Sequence, residues 1–192
     1  MRFLIITIYA LAVLISACNF PLKRAENQEL DSEEIAKSIS EQKKSDKMDE
    51  DASFVVDSYD ESMLLFKSAI LAKRNAQSDQ VKLIALQVIL DQSKISAQLS
   101  ALANQKNIAL PDSLGYTSSR EYDHLVSLKG KKFDREFVDL VLNNSGSLIS
   151  DFNQIAEKSV DQDVKKIASV LSPTLKSHYS DVKNLNYRVN AK

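Results

Sequence analysis

From residue 52 onward the apolar positions recur at steps of three and four, the spacing of one face of an α-helix. Val55, Tyr59, Met63, Phe66 and Ile70 form the first such stripe, predicting a helix from about Ser53 to Gln77. Ser78 is placed to cap a second helix, whose stripe runs Val81, Ile84, Val88, Gln92, Ile95, Leu99 and Leu102. A connection over 107–117 carries the breakers Pro111 and Gly115. Ser118-Ser119-Arg120-Glu121 then fits a capping box, which opens a short helix ending near Leu128, with Gly130 as a left-handed stop. The third long helix aligns Phe133, Phe137, Val141, Ser145, Leu148, Phe152 and Ile155. The fourth, from about Asp161 to Asn186, aligns Val164, Ile167, Leu171, Leu175, His178, Val182 and Leu185. Pro173 inside it predicts a kink, and Gly146 is placed to bend the third. Four long amphipathic helices, with one crossover holding a short extra helix between helices two and three, describe an all-α four-helix bundle over 52–192. No strand is expected.

The pattern changes upstream. Met1-Arg2 is a short basic start, and Phe3 to Ala17 is almost wholly apolar. That is the form of an export signal; a membrane-spanning helix needs about 20 apolar residues, and this run stops at Cys18. Leu14-Ile15-Ser16-Ala17-Cys18 reads as a lipoprotein cleavage site, with a branched apolar residue three before the cysteine and small residues beside it. Residues 1–17 are therefore expected to be a signal peptide and Cys18 the acylated first residue of the mature chain. An ordinary secreted protein with a chance cysteine is the competing reading. Cys18 is the single cysteine, so a thioether to lipid gives an otherwise unpaired thiol a use, and the bundle must hold together without disulfides. More than one acyl chain anchors stably. Asn19 stands where an aspartate is the familiar inner-membrane retention signal, which favours the outer membrane, with the bundle facing the periplasm or the cell surface.

Between anchor and bundle, residues 19–51 hold six basic and ten acidic residues and few large apolar ones. Such a segment buries too little apolar surface to offset its ordering entropy, so 18–51 is expected to be a flexible acidic tether, with transient helix around Glu33 to Ile39. It serves as a solvated spacer or as a surface-export signal. Over the whole chain charge is balanced, Lys plus Arg 25 against Asp plus Glu 26, without the concentrated basic face that nucleic acid requires.

Phe54 to Leu102, Asn107-Ile108-Ala109-Leu110-Pro111 through Leu114-Gly115, Gly130-Lys131-Lys132-Phe133-Asp134, and Pro173-Thr174-Leu175-Lys176-Ser177-His178 resemble the exported bacterial family called domain of unknown function 4142. The resemblance covers essentially the whole bundle and implies a ferritin-like fold at the outer membrane, without a settled activity. It implies a glutamate at the position of Leu65, an Asp-His pair at Asp91 and Gln92, and histidines at Ser145 and His178. Three of these donors are replaced here.

The candidate chemistry is accordingly thin. Di-iron bundles use Glu-x-x-His units, but Ile89 and Leu175 stand three before Gln92 and His178. Asp91 and His178 alone are too few for tight transition-metal binding, so no metal and no cofactor is expected. His178 reads as a hydrogen-bonded core or edge histidine, and His124 as a surface or interface residue. An acid-base site of His178, Asp91 and Tyr59 lacks a nucleophile with an adjacent base. Two readings remain: a non-enzymatic envelope lipoprotein that binds another protein or fills a structural role, and a residual metal or small-molecule binder. Gln92, Ser145 and His178 each interrupt an apolar stripe, with Asp91 beside them. They are expected to meet inside the bundle as a vestigial polar cluster, because an unpaired buried polar group costs about 1–3 kcal/mol; the alternative is that each reaches water separately at a stripe's edge.

Overall fold

A computed structural model describes residues 32–190, with side chains described at 42, 46 and 47 and from 49 to 184. The expected signal peptide, Cys18 and the part of the expected tether before residue 32 lie outside the described residues. Five helices follow in order: α1 (Ser32–Asn75), α2 (Asp79–Lys106), α3 (Tyr116–Ser127), α4 (Gly130–Lys158) and α5 (Gln162–Asn190). Among the described residues there is no strand, and no helix is long and apolar enough to cross a membrane.

The stripes of α2 and α4 are buried as expected. Val81, Ile84, Val88, Gln92, Ile95, Leu99 and Leu102 of α2 meet Phe133, Phe137, Val141, Ser145, Leu148, Phe152 and Ile155 of α4 in one core, together with Val164, Leu171, Leu175 and Val182 of α5. The face of α1 differs from its expected stripe. Tyr59, Met63, Phe66 and Ile70 are only half-buried, while Val55, Ser58, Ser62, Leu65, Ala69 and Ala72 are buried. Small side chains on that face let α1 lie close to α2, its most extensive neighbour, and hydroxyls that find partners need no water. Phe54 closes the other side, edge-on to Phe152 at 4.9 Å between ring centroids.

α1 also starts well before Ser53. Residues 32–51, expected as flexible tether, are helical. Low apolar content was the ground for expecting coil, but Glu, Lys, Gln and Ala are strong helix formers whatever they bury, and Gln42 Nε2 donates to Asp46 Oδ1 one turn on at 2.8 Å. The end of this stretch belongs to the bundle: Asp51 is buried and its Oδ2 accepts from Ser159 Oγ at 2.9 Å.

The connections are held by carboxylates from other helices. Gln77 and Ser78 donate their backbone N–H groups to Asp134 of α4 at 2.9 and 2.7 Å. Ser78 is the N-cap residue of α2, but without a side-chain cap bond. α2 ends at left-handed Asn107, with the Ile108 N–H returning to the Ala103 carbonyl. The capping box does not form, because α3 begins earlier, at Tyr116, after Gly115. Asp60 of α1 takes both the Gly115 N–H, at 2.7 Å, and the Ser118 hydroxyl. A side chain at 115 would bring its Cβ to 3.2 Å from Asp60 Oδ2, so this approach favours glycine. Gly130 has φ 60°, the left-handed turn expected there. α5 continues through Pro173.

These links fix the topology. α4 starts at the end where α1 meets α2, and α5 starts at the other, where Lys106 reaches Asp161 and Asp163, each at 2.7 Å. α1 and α5 therefore run one way, α2 and α4 the other. The ring order is α1, α2, α5, α4, and the single long crossover carrying α3 is the connectivity of ferritin-like bundles.

Candidate functional site

Asp91, Gln92, Ser145 and His178 line one internal cavity of about 20 Å³, between α2, α4 and α5. The stripes bring them there because each occupies a core-facing step of its helix. Within the cavity, polar contacts set Asp91 with His178 apart from Gln92, and Ser145 joins neither. His178 Nδ1 lies 2.7 Å from Asp91 Oδ2, a close contact without the alignment of an in-line hydrogen bond. Gln87 Nε2 donates to both oxygens of Asp91 at 3.1 Å. Gln92 instead reaches α1: Ser62 Oγ lies 2.8 Å from Gln92 Oε1 and 2.8 Å from Ser96 Oγ. Ser145 faces the cavity from α4. The expected cluster is thus one in space and divided in its polar contacts.

The electrostatics follow from burial. Asp91 is 6% exposed at its side chain and His178 25%. Burial pushes the Asp91 carboxyl above its ordinary value, against the Gln87 hydrogen bond and the attraction of His178. Tyr59 does not line the cavity; Tyr179 does. Leu65, fully buried on α1, adds hydrocarbon where the resemblance implies a carboxylate. Asp91 and His178 are the only strong donors here, and no group of three or more His, Cys, Asp or Glu suited to a metal ion occurs among the described residues. A cavity of this size holds about one water, and a substrate does not enter it.

A second polar region went unread in the sequence. On the opposite seam, Asp57 and Glu61 of α1 face Asp151 of α4 in an open cleft of about 250 Å³. Burial, reinforced by Asp151, Asp57, Glu121 and Asp60, pushes the Glu61 carboxyl up to about 7. Its Oε2 is buried without a hydrogen-bond partner. Burial also raises Asp151, against a hydrogen bond from Ser147 and with Asp57 adding to the rise. The one local sign was the four-residue spacing of two like charges, Asp57 and Glu61; their meeting with Asp151 is tertiary.

A third concavity, of about 500 Å³, is an open groove between α3 and α4 lined by Arg120, Glu121, His124, Glu136 and Asn144 among others. His124 is exposed, its Nε2 3.7 Å from Glu136 Oε1, in keeping with a surface residue.

Comparison with known proteins adds a family and a fold. A family model described as domain of unknown function (DUF4142) matches residues 36–185. A crystal structure of a DUF305 fragment from Deinococcus radiodurans superposes with a TM-score of 0.62 at 15% identity, covering 72% of this chain and 95% of that one. No curated protein matches. The family match begins inside the expected tether, as α1 does.

Proposed function

The chain belongs to the family described as domain of unknown function (DUF4142), and from that premise we propose that this member is an envelope lipoprotein anchored through Cys18, whose bundle has a binding or structural role rather than a catalytic one. The observation that carries the non-catalytic part is the small volume at the polar site. The polar site at Asp91, Gln92, Ser145 and His178 leaves about 20 Å³, and its donors are one carboxylate and one imidazole. Replacement of the other donors by Leu65, Gln92 and Ser145 argues against a residual metal site. The anchor rests on the series Leu14 to Cys18 at the end of the apolar run. The early start of α1 gives the proposed lipoprotein a helical arm: residues 32–51 span about 30 Å at 1.5 Å per residue.

The test is labelled palmitate incorporation into the wild-type chain and the Cys18→Ser variant, with metal analysis of the same wild-type protein purified without a histidine tag. Label is expected in the wild type alone, with no stoichiometric metal. Equal labelling of both chains would remove the anchor. Stoichiometric iron, zinc or manganese would restore the metal-binding reading.

A further inference from the structure

The outer face of α2 is apolar where a bundle surface is ordinarily polar. Leu83, Leu86 and Leu90 are 61%, 40% and 58% exposed, while Tyr116, Val126, Val160 and Val170, the other large exposed apolar side chains among the described residues, are spread over the rest of the chain. The three leucines share a stripe with charged ends. Asp79, Leu83, Leu86, Leu90 and Lys94 follow at steps of four, three, four and four, all exposed, and the stripe continues through exposed Ala97 and Ala101. An acid stands at one end of the leucines and a base at the other.

That order is self-complementary about a two-fold axis. When two such helices lie antiparallel with the axis between Leu86 and Gln87, Leu83 of each copy faces Leu90 of the other, Leu86 lies at the axis, and Asp79 of each faces Lys94 of the other. A parallel pairing would set Asp79 against Asp79 and Lys94 against Lys94, so charge selects the antiparallel one. Asp79 has an oxygen to offer: Oδ1 takes Lys82 Nζ at 2.9 Å, and Oδ2 accepts no bond among the described residues. We propose that a second copy of this chain docks antiparallel on the outer face of α2, with Leu83, Leu86 and Leu90 as the apolar centre and the Asp79–Lys94 pairs as its rim.

The contact is isologous, each copy offering the same patch, as two-fold dimers do. The leucine stripe alone falls short of the roughly 800 Å² per partner of standard interfaces, which sets the pair in the weak, reversible range. The two α1 amino-terminal ends leave at opposite ends of the pair, which one membrane accommodates when the helices lie along its surface.

Cross-linking of the full-length chain in bacterial cells tests this. Leu86→Cys, beside the axis, is treated with a short bismaleimide and compared with Ser150→Cys, exposed on α4, and with the wild type, which sets the background from Cys18. The Leu86→Cys chain is expected to give several-fold more covalent dimer than either. In the Leu86→Cys background, Asp79→Lys or Lys94→Asp alone is expected to lower the yield several-fold, and the two together to restore it. A Leu86→Cys yield no higher than that of Ser150→Cys overturns the interface. Failure of the double reversal to restore the yield overturns the antiparallel register.

Discussion

The two seams of the bundle treat buried carboxylates in opposite ways. Between α2 and α5, Asp91 has the His178 ring at 2.7 Å and two hydrogen bonds from Gln87. Between α1 and α4, the charged groups that act on Glu61 are all carboxylates, Asp151 and Asp57 foremost, and one of its oxygens is buried without a donor. Both acids are raised by burial, so burial alone does not separate them; the neighbours do. The first seam offsets part of the burial penalty with Gln87 and His178. The second stores repulsion that a proton relieves. Carboxylates on both seams are raised, and the acidic cleft, where no base offsets the like charges around Glu61, is where the larger response of stability to pH is expected.

The sharpest way to break the contrast is to remove the imidazole on the α2–α5 seam. His178→Leu leaves Asp91 buried beside hydrocarbon and is expected to destabilise the fold by about 2 kcal/mol, read by chemical denaturation at neutral pH. Replacing Asp91 by leucine in the same chain should return much of that loss, since the stranded charge is gone. If His178→Leu is as stable as the wild type, the 2.7 Å contact contributes nothing and the two seams are alike.

The acidic seam should respond with the opposite sign. The folded chain keeps a proton on Glu61 up to about 7, whereas the unfolded chain releases it near 4.5, so between those values the folded state binds more protons and stability falls as pH rises. Glu61→Gln is expected to stabilise the fold by about 1–2 kcal/mol at pH 8, after allowing for solvent screening of a partly exposed group. It should also flatten the decline between pH 4.5 and 7. Thermal melts across that range check both, and a wild-type curve that rises through the window would contradict the assignment.

The smallest effect belongs to the other half of the first cluster. Ser62→Ala removes the hydroxyl from Gln92 Oε1 and Ser96 and should cost about 1 kcal/mol. A double-mutant cycle of Ser62→Ala with His178→Leu should be additive, because no hydrogen bond joins the two groups. Coupling beyond about 0.5 kcal/mol would show that the cavity acts as one network after all.

Much of this was legible in order along the chain. The stripes of α2 and α4 name the buried face residue by residue, and the interruptions at Gln92, Ser145 and His178 do converge on one cavity. α1 was misread because its buried face is built from Ser58, Ser62, Ala69 and Ala72, which look polar or neutral in a sequence and become core only when another helix comes close. The capping box at Ser118 failed for a related reason: its hydroxyl goes to Asp60, far away in the chain. Hydrophobicity alone points to a flexible 32–51 with at most transient helix, whereas helix propensity, a local property, favours the continuation that α1 makes.

The sequence by itself determined the helical class, the number of long helices, the crossover with its extra short helix and the places where apolar stripes break. All of these are local or periodic properties of the backbone and its side chains, expressed within a few turns. Only the tertiary structure decided that Asp91 turns to His178 while Gln92 turns to Ser62, that Asp57, Glu61 and Asp151 share a cleft, and that Asp60, Asp134 and Asp51 tie down loops made by other segments. Those outcomes depend on the rotation of each helix about its axis and on the order of helices around the ring. Neither is encoded in the spacing of any one helix; both follow from how four faces fit together.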